Sequence, residues 1–295
     1  MCEPHLRIAA RFAKERLIRP SETPVSIEGI SYNSARGELF FVDKNNRVVR
    51  SASIWSTDPH LCDVYRGTTD GRPPLLQSVC YMPDSDTLLV FSEEHLPDGA
   101  AANWMLALRR RKNKWREEHR VKINGKGDMS CSLNNSRVLI GEWNSTFMEL
   151  FRVASAARIS SVHRIRVPEK YTRFSATVCE DILVAMSYWN TGISEDSVCL
   201  YKLCDDRLEE RSRIQLNSLF HLQWVAGRLL ASEWYEETRS NAFVELKVSG
   251  TRLVRYRELL HHNARIDVGN WCAADNWLAL FDLCTKELLV YSFSE

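Results

Sequence analysis

"RLLASEWYEETRSNAFVELKVS", residues 228–249, holds two apolar runs separated by a polar, aromatic and acidic stretch. The first run, Arg228-Leu229-Leu230-Ala231, is β-like, and the second alternates apolar and polar side chains as a strand packed against a neighbour does. The stretch therefore reads as an antiparallel hairpin whose loop carries Glu233, Trp234 and Tyr235. "GEWN" at 141–144 and "SYWN" at 187–190 echo that loop. Trp143, Trp189 and Trp234 thus occupy one position of a repeated unit.

The repeat extends through the chain. Apolar runs equivalent to 228–234 are "ELFFVD" from 38, "TLLVFSEE" from 87, "RVLIGEW" from 137, "DILVAMSYW" from 181 and "WLALFD" from 277. Each is followed by an alternating run, such as "NWMLALRR" from 103, "FMELFRVAS" from 147 or "KELLVYSF" from 286. Most are preceded by a turn of suitable chemistry, "NSARGE", "PDSD", "LNNSR" or "VAGR". A charged run closes the unit: "KWREEHRVKI", "SVHRIRV", "LEERSRIQL" and "LVRYREL". A period of about 45 residues without helical periodicity fits four-stranded antiparallel blades. Six repeats predict an all-β, six-bladed β-propeller, in which the charged run is the rim strand whose open edge the charges protect.

The sixth unit reaches Glu295 after only three strands. "HLRIAARFAKERL", from residue 5, resembles the other charged runs and is expected to complete that last blade, closing residues 1–295 into a single domain. The basic stretch "RRRKNKWR", 109–116, falls on the hairpin between the third and fourth strands of the second blade and reads as a solvated rim turn.

Composition bounds the function. With 44% hydrophobic and 26% charged residues the chain can build a core, and a net charge of +1 gives no general attraction to nucleic acid or anionic membrane. No apolar run approaches the roughly 18 residues of a membrane span, and no secretory leader opens the sequence, so a soluble cytoplasmic protein is expected. Nine cysteines form no C-x-x-C pair. Those at 80, 131, 179 and 272 lie in strand-like runs and read as small buried hydrophobes. P-loop, G-x-S-x-G and H-E-x-x-H motifs are absent from the sequence.

"SIEGISYNSARGELFFVDKNNRVVR", residues 26–50, resembles the first blade of six-bladed propellers of the NHL-repeat and regucalcin/gluconolactonase type, through Glu28-Gly29, "RGELFFVD" and "NNRVVR". The resemblance implies six blades. In the gluconolactonase-like members it also implies a divalent cation at the mouth of the central channel, with Glu28 at the matching glutamate. Asp128 in "KGDMS" and Asp267 in "RIDVG" begin their blades and are the further acids available to such a site, although neither sits in the family's motif. His221, His261 and His262 are candidate bases.

Two functions follow as expectations. The first is a non-enzymatic interaction propeller without a cofactor, holding a basic, peptide-like protein partner on an aromatic and acidic face. Its residues would be Glu93, Glu142, Trp143, Tyr188, Trp189, Glu233, Trp234 and Tyr235. Asp43, Glu93, Glu142, Glu233 and Asp282 end equivalent strands as a possible acidic collar, unless they cap backbone amides instead. The second is a metal-dependent, lactonase-like hydrolase with Ca²⁺ or Zn²⁺ on Glu28, Asp128 and Asp267.

Overall fold

The fold was described from a computed structural model. It covers residues 5–12, 25–55, 61–67, 74–96, 98–123, 130–134, 136–141, 147–166, 175–180, 183–188, 196–204, 207–217, 219–225, 227–262, 271–274 and 277–294. Asp128, Glu142, Trp143, Trp189 and Asp267 lie outside the described residues, and for Tyr188 only the backbone is described. The chain divides into two compact units, residues 1–124, 153–159 and 269–295 in one, and 125–152 and 160–268 in the other.

In the first unit, β1 (His5–Phe12) stands apart in sequence from β2 (Ile27–Asn33), β3 (Glu38–Asp43), β4 (Val48–Ser53) and β5 (Cys62–Arg66), which form one antiparallel meander. A second meander contains β6 (Leu75–Met82), β7 (Thr87–His95), β8 (Ala101–Arg111) and β9 (Lys114–Ile123). The second unit holds β10 (Ser130–Asn134), β11 (Arg137–Gly141), β12 (Phe147–Ser155) and β13 (Arg158–Arg166), apart from the hairpin tip at 153–159. It continues with β14 (Ala176–Glu180), β15 (Leu183–Tyr188), β16 (Asp196–Cys204) and β17 (Arg207–Leu216). These two meanders touch through one parallel bridge, Arg166 to Arg207. The fifth meander is β18 (Leu219–Val225), β19 (Arg228–Tyr235), β20 (Ser240–Ser249) and β21 (Arg252–His262).

The last sheet returns to the first unit: β22 (Trp271–Ala274), β23 (Trp277–Asp282) and β24 (Glu287–Ser294), in the order β1-β24-β23-β22. The N-terminal strand therefore completes the final blade, in antiparallel register from His5 opposite Ser294 to Phe12 opposite Leu288. Arg11 fastens the pair by a two-armed bond to Glu287, at 3.0 and 2.6 Å.

Burial explains the sequence pattern. Second strands are covered on both faces, so they read as continuous apolar runs: Leu39, Phe40, Phe41 and Val42 are all fully buried. Fourth strands are exposed or half-buried along most of their length, and many of their charges pair with acids on the same or an adjacent strand. Arg110 bonds Glu38 at 2.6 Å and lies 4.9 Å from the Trp115 ring, while Arg111 pairs with Glu118. Lys112 and Asn113 turn the hairpin with φ of 47° and 62°, the left-handed pair of a two-residue connection. The basic stretch 109–116 is thus a rim hairpin, as its sequence suggested.

Cores form between successive sheets of each unit. Phe40, Val42 and Val49 meet Leu88, Val90 and Leu106, and Leu222, Leu229 and Ala231 meet Ala185, Val198 and Leu200. Hydroxyls on innermost strands tie neighbours together: Ser31 Oγ accepts the Tyr81 N–H at 2.8 Å, and Ser175 Oγ and Thr177 Oγ1 accept those of Leu222 and Trp224 at 2.9 and 3.0 Å. Three innermost strands carry a register shift near their start, at Glu28/Ile30, Leu76/Ser78 and Leu219/His221. At the first of these Gly29 has φ +75°, and a Cβ there would meet Ser78 Cα at 2.9 Å. Gly29→Ala is therefore expected to lower unfolding stability by about 2 kcal/mol, read from urea denaturation.

Candidate functional site

Among the described residues, a cluster of polar side chains gathers at the end of the second strand of the fifth meander. The strands here run further than the sequence suggested: β19 continues through Trp234 and Tyr235, and only Glu236–Arg239 form the turn. In the second meander the equivalent long loop likewise contracts to 96–100, closed by Leu96 N–H to Ala100 O at 2.8 Å. The aromatic side chains are consequently held by a sheet rather than carried on a loop.

Strand alternation puts Glu233 and Tyr235 on the face that packs toward the fourth meander and Trp234 on the opposite face. Glu233 is fully buried. Its Oε2 accepts the Tyr235 hydroxyl proton at 3.0 Å and forms an ion pair with Arg255 Nη2 at 3.0 Å, whereas Oε1 has no hydrogen-bond partner among the described residues. Ala242 lies opposite Glu233 on β20 and His261 lies beyond it on β21, whereas Arg255 is in register with Leu246. Burial raises the Glu233 pKa, opposed by Arg255, Tyr235 and the Asn217 backbone N–H.

Arg255 also lies 3.7 Å from Glu258 Oε2. From Glu258 the network continues to His261 Nδ1 at 3.5 Å, and His261 Nε2 meets Ser240 Oγ at 2.8 Å. This is the connectivity of a serine–histidine–carboxylate relay. Ser240 is fully buried, however, and its hydroxyl is also bonded to Thr238 at 2.6 Å. An acyl group has no route to that oxygen, so the relay fastens the turn to β21.

Trp234 is half-buried, and its indole N–H donates to Glu236 Oε2 at 2.6 Å, which fixes the ring. Tyr235, also half-buried, lies 5.8 Å from the His261 ring. Among the exposed side chains of the turn and of β21 are Glu236, Glu237 and Glu258, with Arg239 and Arg255. The sequence pointed to Glu233, Trp234 and Tyr235. It gave Arg255 and Glu258 no role, because they stand among the charges of a rim strand, and His261 only that of a candidate base in the hydrolase reading.

The other predicted positions are placed differently. Glu93 lies in the first unit, where Gln77 Nε2 donates to its Oε2 at 3.1 Å and His95 Nε2 is 3.8 Å from Oε1. Asp43 and Asp282 cap turns. Asp43 accepts the Asn46 side-chain amide at 2.7 Å, and Asp282 Oδ1 accepts the N–H groups of Cys284 and Thr285 at 2.7 and 3.1 Å. Glu28 binds the Lys44 ammonium at 2.5 Å. Among the described residues no three His, Cys, Asp or Glu side chains converge as metal ligands.

His221 belongs to a buried patch between β14 and β18. Ser175 Oγ accepts the Leu222 N–H at 2.9 Å and lies 3.0 Å from His221 Nδ1, while the Gln223 side-chain amide nitrogen lies 3.4 Å from Nε2. Burial pushes the His221 pKa down to about 4, so the imidazole is neutral.

No protein-family model matches the chain, and a search of curated proteins found no match. Solved structures do match. The WD40 domain of Toxoplasma gondii coronin is similar over 99% of this chain and 86% of its own, at TM-score 0.57 and 10% identity. A soluble aldose sugar dehydrogenase from Escherichia coli is similar over 98% and 99% at TM-score 0.59 and 8% identity. A putative 6-phosphogluconolactonase from Bacteroides uniformis is similar over 92% and 84% at TM-score 0.57 and 11% identity. At such identities the likeness concerns the fold. With the six meanders and the N-terminal strand in the last of them, it makes this protein a six-bladed β-propeller.

Proposed function

We propose that this propeller is a non-enzymatic interaction module, active in the cytoplasm, that holds a basic segment of a protein partner at the end of β19. The fold does not decide between binding and catalysis, since its structural neighbours include an interaction-type WD40 domain and enzymes. The site favours binding. Its carrying observation is the Glu233 carboxylate, anchored through Oε2 with Oε1 unpartnered among the described residues, on a strand that also presents two half-buried aromatic rings. The exposed acids Glu236, Glu237 and Glu258 attract Lys or Arg and repel phosphate. The buried cysteines Cys80 and Cys272, which form no disulfide, suit a reducing compartment.

Glu93, Glu142, Trp143, Tyr188 and Trp189 are the further binding residues of this reading. Trp234→Ala is expected to weaken capture of a fluorescein-labelled basic peptide at least ~10-fold by removing the stacking face. Its melting temperature should fall by only a few degrees. Unchanged affinity would take Trp234 out of the site, and a collapsed fold with affinity retained by the remaining folded fraction would make it a packing residue.

A further inference from the structure

Arg255 is half-exposed, with 38% of its side chain open to solvent, yet it covers Glu233, which has no exposed surface. The arginine is thus a lid on a buried carboxylate. It holds that carboxylate through Oε2 alone, without the two parallel bonds a guanidinium makes when a carboxylate fits it. A second seat is close, because the same Nη2 lies 3.7 Å from Glu258 Oε2, and Glu258 is exposed. Arg255 Nη2 also donates to the Tyr235 hydroxyl at 3.4 Å, and Tyr235 donates to Glu233 Oε2, so the carboxylate keeps one anchor if the arginine leaves.

We infer that Arg255 is an internal stand-in for a basic side chain of the partner, occupying Glu233 in the free protein and shifting to Glu258 when an incoming guanidinium replaces it. This rests on the proposed function. The exchange keeps a cation beside Glu233 throughout, which matters because a buried carboxylate stripped of its counter-ion is costly. The unpartnered Oε1 allows the newcomer two parallel bonds where Arg255 makes one. That selects arginine over lysine, whose ammonium is a point charge without the planar fork. Held by the Glu236 bond, the Trp234 ring offers a fixed aromatic face on the same strand for a neighbouring residue of the segment.

The test uses the full chain and two fluorescein-labelled peptides, one alternating glycine with arginine and one alternating glycine with lysine, followed by fluorescence anisotropy at physiological salt. Arg255→Gln is expected to bind the arginine peptide at least ~10-fold more tightly than the unmodified protein and to widen its preference over the lysine peptide. Glu233→Gln should lose binding. If Arg255→Gln fails to fold, Glu258→Gln, which removes the second seat, should weaken binding several-fold in an otherwise intact protein. Binding by the unmodified protein that Arg255→Gln leaves unchanged or weakens would overturn the stand-in and leave the proposed function intact. Failure of every folded variant to bind either peptide would remove both.

Discussion

Arg50→Ala is expected to destabilise the protein by about 3–5 kcal/mol, the usual consequence of breaking a buried ion pair from one side. Arg50 has no exposed surface, and its guanidinium lies between Asp43 at 3.5 Å and Asp63 at 3.8 Å. Asp43 is equally buried; desolvation raises its pKa, and the bonds from Asn46 and Ser26 and the charge of Arg50 work against that. Removing the guanidinium leaves Asp43 without its cation beneath the β3–β4 turn that it caps. The double variant Arg50→Met, Asp43→Asn should lose much less than the sum of the single changes, because neither partner is then stranded. Urea denaturation of the four proteins measures the coupling. Additive losses would show that the two side chains act separately.

The second large effect is a dependence of stability on pH carried by His221. Its pKa is about 4 in the folded protein because the ring is completely desolvated, against 6.5 for the exposed side chain. Between those values the unfolded chain takes up a proton that the folded chain refuses. The neutral ring's contribution is therefore whole above pH 6.5 and declines as the pH falls toward 4, by ~3 kcal/mol in all. Asp43 and Glu233 have raised pKa values and act in the opposite direction, so a difference between two proteins isolates the histidine. His221→Asn should flatten the fall in urea midpoint between pH 6.5 and 4.5. Parallel curves for the two proteins would mean that His221 is solvated.

The repeat was legible because a doubly covered strand has to be apolar throughout. "ELFFVD" and "WLALFD" are β3 and β23 to the residue. The closing strand was legible for a related reason, since a sixth unit with three strands leaves an edge that only the first charged run can cover. Register shifts were not legible. Gly29 stood out as part of a pair with Glu28, but only the approach of Ser78 explains why a side chain is excluded there. The acids at strand ends are chemically alike in sequence and differ in space. Asp43 and Asp282 precede tight turns and cap them, whereas the chain runs straight past Glu233 for two more residues, so its carboxylate is left to Arg255 and Tyr235. No local pattern announces Arg255, because its link to Glu233 joins two strands that are not neighbours, across β20.

The most direct measurement is amide hydrogen exchange on the full chain, with and without the peptide alternating glycine and arginine. Binding at the end of β19 predicts slowed exchange concentrated in residues 232–240 and 255–262, and none of that slowing in Glu233→Gln. Protection confined to other segments, or the same protection in Glu233→Gln, would contradict the assignment of this site.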